Sequence, residues 1–213
     1  MDPASGAAAA NPVAIARELE ALAQTGLTFA QDHFDRERYT RVRELAAALL
    51  ARHSDLDPAT ILRWSAAEFG YATPKVDVRA FILDGDRVLL IRENADEGRW
   101  SLPGGWAEVN ETPTASVVRE VREECGYAVR VLRLLAVFDR EQQGHPPPFP
   151  YHVYKLFFHC AITGGQPGPG HESSAVAFHP LDRLPELSAS RVLPAQLERL
   201  HAAVRKGEPV LCD

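Results

Sequence analysis

The feature that most constrains this chain is a change of hydrophobic period at Thr73-Pro74. Before it, apolar residues recur at helical spacing: Ile15, Leu19 and Leu22 at i, i+4, i+7, then Val42, Leu45 and Leu49 at i, i+3, i+7. Asp57-Pro58 reads as the N-cap and first position of a third helix, carrying Ile61, Leu62 and Trp64 and stopping at Gly70. After Pro74 the period falls to two. Val76, Val78 and Ala80 alternate with Asp77 and Arg79, and Asp84-Gly85-Asp86 turns the chain into residues 88–91 as a hairpin. Two further β-rich runs cover 128–138 and 152–162, a helix spans 113–125, and a last helix begins near Pro194. Helices followed by mixed elements predict an α/β sandwich with a mixed sheet, about 140 residues long, behind a small helical annex. The expected division is a tail at 1–11, a helical region at 12–70 and an α/β domain at 71–213.

Charge narrows the partners. The 213 residues carry 23 basic and 29 acidic side chains, a formal net charge of −6, which argues against nucleic acid and anionic lipid as general partners. Residues 1–70 hold seven arginines and no lysine against ten acids, so a helical DNA reader lacks its basic footprint, despite the local cluster Arg36, Arg38, Arg41 and Arg43. No run approaches 18 apolar residues, and residues 1–11 show no positive charge ahead of an apolar stretch, so neither a membrane span nor a secretory signal is expected. Cys125, Cys160 and Cys212 are odd in number and lack metal-type spacing, which fits a reducing, cytoplasmic setting.

The chemistry concentrates in the helix at 113–125. At about 100° per residue, Glu120, Glu123 and Glu124 fall within one arc of roughly 100°, with Thr114, Val118, Val121 and Cys125 on the other side. Clustered like charges on a helix repel by a few tenths of a kcal/mol per pair, so they call for solvent or a cation, and hard oxygen donors suit Mg²⁺ or Mn²⁺. Taken alone, an acidic helix face is ordinary surface. The flanks change that: residues 105–127 read GWAEVNETPTASVVREVREECGY.

That segment places Gly105, Glu111, Arg119, Glu120, Val121, Glu123, Glu124 and Gly126 in the spacing G-x5-E-x7-R-E-U-x-E-E-x-G-U, where U is bulky and apolar. It resembles the signature of the Nudix hydrolases. Eight matches would arise by chance in a chain of this length with a probability of roughly 10⁻⁷ from average residue frequencies. The last apolar position is Tyr127 instead of an aliphatic residue, and it carries no ligand role.

The resemblance implies a Nudix α/β/α sandwich in which Glu120 and Glu124 are the principal metal ligands, with Glu123 a further ligand or base. It implies that Arg119 holds the glutamates by ion pairing and that Glu111 braces the loop. A carbonyl of Gly104 or Gly105 is the expected backbone contribution to the metal site. The helical region ahead of Tyr71-Ala72-Thr73-Pro74 resembles the subgroup that hydrolyses nucleoside diphosphates linked to a group X, of the CDP-choline and ADP-ribose type, commonly as homodimers. A nucleotide-type small molecule is then the substrate. Other functions open to such a domain are a ligand sensor without catalysis, and hydrolysis of nucleoside triphosphates or capped RNA.

Outside the motif, Arg79, Arg92 and Arg99 are candidates for the diphosphate, since a guanidinium fork suits phosphate. Glu172, after the glycine-rich stretch 164–170, is a candidate extra carboxylate. Trp100 is expected to anchor the loop at 101–105 in the core. Tyr151, Tyr154, Phe157 and Phe158 are expected to be mostly core, with one left to stack on a base. His145 and His152 bracket Pro146-Pro147-Pro148-Phe149-Pro150, a stiff loop suited to closing over a substrate.

Overall fold

The computed structural model describes residues 11–213, which form two compact units. One runs up to Pro74 and includes Pro147–His152; the other comprises Lys75–Pro146 and Val153–Asp213. The tail expected at 1–11 lies outside the described residues apart from Asn11, which caps the first helix: its side chain accepts from the Val13 N–H at 3.0 Å.

The first unit contains α1 (Pro12–Phe29), α2 (His33–Ala51) and α3 (Pro58–Ala66). Asn11, Asp32 and Asp57 accept the unpaired N–H groups of the three first turns, and proline sits at the start of α1 and α3, where its missing N–H costs nothing. The third helix stops at Ala66, short of the expected Gly70. Val13, Ala16, Ala47, Leu50 and Ile61 form the interior. The apolar stripes have the predicted period and turn only partly inward, with Leu19, Val42 and Leu49 half-buried and Leu49 packed against that interior. Ile15, Leu22 and Leu45 are exposed, while Ala16, Ala23, Ala46 and Ala47 are buried. Small residues at the contact let helix axes come close. A side chain on Gly26 would run into the Tyr39 ring, with its Cβ 2.4 Å away. The loop at 147–152 is pinned to these helices: Arg17 Nε donates to the Phe149 carbonyl at 2.8 Å, and Tyr151 stacks on Trp64 with ring centroids 6.5 Å apart. This corrects the reading of that stretch as a flap, and it takes Tyr151 away from any base-stacking role.

The second unit contains β1 (Lys75–Asp84), β2 (Arg87–Glu93), β3 (Trp100–Ser101), α4 (Pro113–Cys125), β4 (Tyr127–Asp139), β5 (Val153–Gly165), β6 (Ser173–Pro180), α5 (Pro194–Lys206) and β7 (Leu211–Cys212). The sheet order is β3-β2-β1-β5-β4-β7, with β6 also paired to β2. The hairpin turn forms as predicted, but β1 meets β2 only at Leu83 and Asp84 and runs parallel to β5 from Lys75 to Ile82. Strand β2 spends its length on β6, which lies beyond the glycine-rich stretch and carries no sequence signal noted above.

Val78, Ala80, Ile82, Leu89 and Ile91 pack with Val117, Val121 and Cys125 of α4 on one face of the sheet. Phe81, Val88, Leu90, Phe138 and Phe157 pack with Leu197 and Leu200 of α5 on the other. This is the expected α/β/α arrangement, and each large side chain fully buried contributes about 1.5–3 kcal/mol. Because β1 is covered on both faces, its charged residues are sealed inside; an alternating pattern looks half-solvated only when one face is wet. No described helix is long and apolar enough to cross a membrane.

Candidate active site

The loop before α4 and the helix itself bring the motif together. Thr112 accepts from the Ala115 N–H at 3.1 Å and Pro113 occupies the first turn, which starts the helix two residues after the loop glutamate Glu111. Gly126 ends it in the left-handed region, where a Cβ would lie 2.5 Å from the Gln166 carbonyl. Spacing of four places Glu120 and Glu124 on successive turns. Glu124 Oε2 accepts from the Gly104 N–H at 2.7 Å, and Glu120 lies against Gly105, where a Cβ would come within 3.0 Å of Glu120 Oε1. Gly104 has φ 140°, with space for a Cβ only 2.0 Å from the Val78 carbonyl. Two glycines therefore form a floor on which no side chain competes with the carboxylates.

The helix faces differ from the sequence expectation. Thr114 is exposed and Val117 takes its place in the core. Glu124 is buried beside Val121 and Cys125, whereas Glu123 has a side chain 59% exposed. The arc was read correctly, but its edge is roofed over.

Arg119 collects three glutamates. Its Nε donates to Glu111 at 3.0 and 3.1 Å, and its Nη1 lies 3.0 Å from Glu120 Oε1 and from Glu123 Oε2. Ser116 Oγ donates to Glu111 at 2.7 Å. The Arg119 hydrogen bonds, then that of Ser116, hold the Glu111 carboxyl below its ordinary range. Burial pushes Glu120 upward, against the pull of Arg119. Burial also pushes Glu124 up to about 8; Glu93 and Glu120 add to this, while Arg79 and the Gly104 N–H oppose it. Two crowded, desolvated carboxylates are short of positive charge.

The remaining candidates disperse. Arg79 is buried, with its guanidinium spent on both oxygens of Asp77 (2.9 and 2.7 Å) and on the Leu102 carbonyl (3.1 Å), so it is not presented to a ligand. Arg92 donates to the Gly98 carbonyl at 2.9 Å. Arg99 is ringed by Asp96, Glu97 and Glu186 at 2.8, 2.6 and 3.0 Å. Glu172 is exposed and takes part through its backbone carbonyl, which accepts from the Asn94 N–H. Trp100 packs into the α5-side core and meets His179 edge-on at 4.5 Å, as an anchor should. Phe157 and Phe158 are core, and Tyr154 is the exposed aromatic of the strand.

Sequence reasoning missed several buried charges. Glu93 sits near Glu124, accepting from Ser101 Oγ and lying 3.2 Å from Arg191 Nε. Asp77 and Lys155 lie 2.8 Å apart in the parallel register of β1 and β5. The usable signal was that Asp77, Arg79 and Lys155 occupy strands flanked by apolar runs on both sides, the pattern of sheet interiors.

A layered α/β unit with a glycine-floored carboxylate helix defines a Nudix hydrolase domain. A NUDIX domain model matches residues 73–200, and a model described as "UDP-X-like, N-terminal oligomerisation domain" matches residues 12–64. The chain belongs to the Nudix family. It is 45% identical over 190 residues, 89% of this chain and 90% of the relative, to YjhB of Bacillus subtilis (strain 168), which is named for a proposed ADP-ribose pyrophosphatase activity. It is 34% identical to the ADP-ribose pyrophosphatase of Methanocaldococcus jannaschii over 55% of this chain and 69% of that one. Among solved structures, a UDP-X diphosphatase aligns with a TM-score of 0.61 and 36% identity, covering 94% of this chain and 96% of that one.

Nudix hydrolases in general work with a divalent metal. Among the described residues, no three histidine, cysteine, aspartate or glutamate side chains stand together as a metal cage. The donor set nonetheless fits a hard cation: the desolvated Glu120 and Glu124 lie side by side, and Glu123 is one ion pair with Arg119 away from them. Of the two candidate carbonyls, that of Gly105 is committed to Val78 N at 2.8 Å.

Proposed function

We propose that this protein hydrolyses the diphosphate linkage of a nucleoside diphosphate joined to a group X, of the ADP-ribose or CDP-choline type, releasing a nucleoside monophosphate and phosphorylated X. The observation that carries the reading is the pairing of Glu120 and Glu124 over the Gly104–Gly105 floor, with Arg119 bridging Glu111, Glu120 and Glu123. The names of the similar proteins support the substrate class.

Glu120 and Glu124, with Glu123 and the Gly104 carbonyl, would hold Mg²⁺ or Mn²⁺. Such a cation supplies charge neutralisation at the diphosphate and acidifies a water. The chain's own residues do the rest. Arg119 keeps the glutamates from scattering, Glu111 keeps Arg119 in place, and the glycine floor lets the diphosphate approach the backbone. Glu123, the exposed member, would serve as a further ligand or as the base that takes a proton from the attacking water. The free cysteines fit a cytoplasmic protein.

The helices support a homodimer. Leu22, Phe29, Phe34 and Leu45 are large, apolar and at least half exposed, and the matching domain model is one of oligomerisation. A panel of ADP-ribose, CDP-choline, UDP-glucose, NADH, diadenosine polyphosphates and nucleoside triphosphates, each with Mg²⁺, tests the reading. Turnover of the first three ahead of the triphosphates is expected. Binding without turnover of any member would move the protein to the sensors.

A further inference from the structure

Resting on the assignment of Glu124 as a working carboxylate, we propose that Asp77, Arg79 and Lys155 form a buried positioning network that fixes Glu124 through the backbone of residues 102–104. All three side chains are buried in the middle of the sheet, Asp77 at 5%, Arg79 at 4% and Lys155 at 2% exposure. Stability does not ask for them, since apolar side chains of similar volume in place of a buried ionic cluster are often neutral or stabilising. Their geometry points to a different use.

Asp77 and Arg79 are two residues apart on β1, so they share the face of Phe81, the side of the sheet away from α4. Lys155 stands opposite Asp77 and holds its Oδ1 at 2.8 Å, while Asp77 takes Arg79 through both oxygens. That grip aims the third contact of the fork, Nη1, at the Leu102 carbonyl. From there the chain is laid along β1: Ala80 N donates to the Pro103 carbonyl and Val78 N to the Gly105 carbonyl, both at 2.8 Å. Between them sits Gly104, pressed so closely on β1 that a Cβ would lie 2.9 Å from Arg79 Cα, and its N–H meets Glu124 Oε2 at 2.7 Å. A continuous set of contacts thus runs from Lys155 across the sheet to a carboxylate on α4. A lysine at position 79 would keep the charge but lack the planar fork needed to hold Asp77 and the carbonyl together. None of the three residues touches the carboxylate itself, so they position and do not react.

The charge-balanced double variant Asp77→Asn/Lys155→Met tests this, because it removes one charge of each sign and leaves the interior's net charge unchanged. Mg²⁺ binding by calorimetry without substrate is expected to weaken at least fivefold. On the Mg²⁺-saturated enzyme, kcat should fall at least tenfold with the nucleotide KM within twofold. Lower thermal stability with unchanged Mg²⁺ affinity and kcat would overturn the proposal. If the double variant does not fold, the stability cost of Arg79→Lys is measured alone and in Glu124→Gln. The network predicts that the cost falls by half or more in the second background, and equal costs would refute it. Glu124→Gln with full kcat would instead refute the role of Glu124 itself, so the two failures are distinguishable.

Discussion

The two units distribute their side chains in opposite ways. In the helical unit, alanines fill the α1–α2 contact while Leu22, Phe29, Phe34, Leu45 and Phe69 lie outside, and Phe69 is 86% exposed. In the α/β unit, large apolar residues fill both sides of the sheet, and charges are taken inside: Asp77, Arg79, Glu93, Glu124, Arg140 and Lys155 are all buried. Exposed apolar surface costs little until a partner covers it, and then returns about 25 cal/mol per Å². Buried charge costs several kcal/mol per ion unless paired, and what remains is a low-dielectric site where each interaction is strong. The first unit's exposed apolar side chains accord with the oligomerisation domain model that it matches, and the second gathers the carboxylates of the Nudix motif.

The sharpest way to break this contrast is at Glu124. Replacing it with Gln should cut kcat at least a hundredfold, about 2.7 kcal/mol of barrier, with the thermal midpoint held or raised because a desolvated carboxylate is gone. Retention of more than a tenth of the wild-type kcat at saturating Mg²⁺ would contradict the assignment. On the other unit, Leu22→Glu/Leu45→Glu should leave each chain folded and convert a dimer to a monomer by light scattering. An unchanged mass would show that these side chains do not form the interface.

Acid should act on the α/β unit. Buried His145 pairs its Nδ1 with the Ala189 carbonyl at 2.8 Å and its Nε2 with the Gln196 side chain at 3.0 Å, a locked neutral ring. Burial lowers its pKa to about 4, with Lys155 and Arg140 nearby adding to this and Asp77 opposing it. The unfolded chain therefore binds a proton that the folded one refuses, and stability falls as pH drops from about 6.5 to about 4, by a few kcal/mol at most. Asp77 acts in a lower window. Burial opposes its charge, but Arg79 and Lys155 hold its pKa at about 2, so the stability it contributes is lost only as pH falls from about 3.8 through that value. His145→Gln should flatten the profile of thermal midpoint between pH 6.5 and 4.5; an unaltered slope would place the acid sensitivity elsewhere.

Smaller effects sharpen the map of α4. Arg119→Ala should lower activity about tenfold at limiting Mg²⁺ and about threefold at saturation, since Arg119 supports the ligands without being one. Equal loss at every Mg²⁺ concentration would give it a direct part in the reaction. Thr114→Ala, at an exposed position, should change stability by less than about 0.5 kcal/mol, against about 1–3 kcal/mol for Val117→Ala in the core. Equal costs would mean that the helix faces are assigned wrongly.

The parts legible in the sequence were those written in local chemistry. The Asp57-Pro58 cap, the turn at 84–86, the helix at 113–125 and its end at Gly126 all depend on neighbouring residues and form where expected. The motif spacing likewise brought Glu111, Arg119, Glu120 and Glu123 into one ion-pair network. What stayed illegible depended on distant chain. Strand β6 exists because β2 offers it an edge, and Glu124 is buried because Gly104 and the segment at 170–173 close on it. Arg79 looked available to a diphosphate because period-two alternation cannot report that β5 and the segment at 103–107 cover both flanks of β1. The helical stripes were legible as period alone: period identifies a face, but how much of it a helix buries is decided by what packs against it.

The most direct test of the central claim, that the buried carboxylates direct water to a phosphoanhydride, is hydrolysis of ADP-ribose in ¹⁸O-labelled water with Mg²⁺, read by mass spectrometry. Glutamates gathered on one helix suit attack at phosphorus, whereas attack at a sugar carbon calls for carboxylates flanking the ring. The expected result is AMP and ribose phosphate, with the label on one of the two product phosphates and none elsewhere. Label on a sugar hydroxyl, or release of intact ADP, would contradict it.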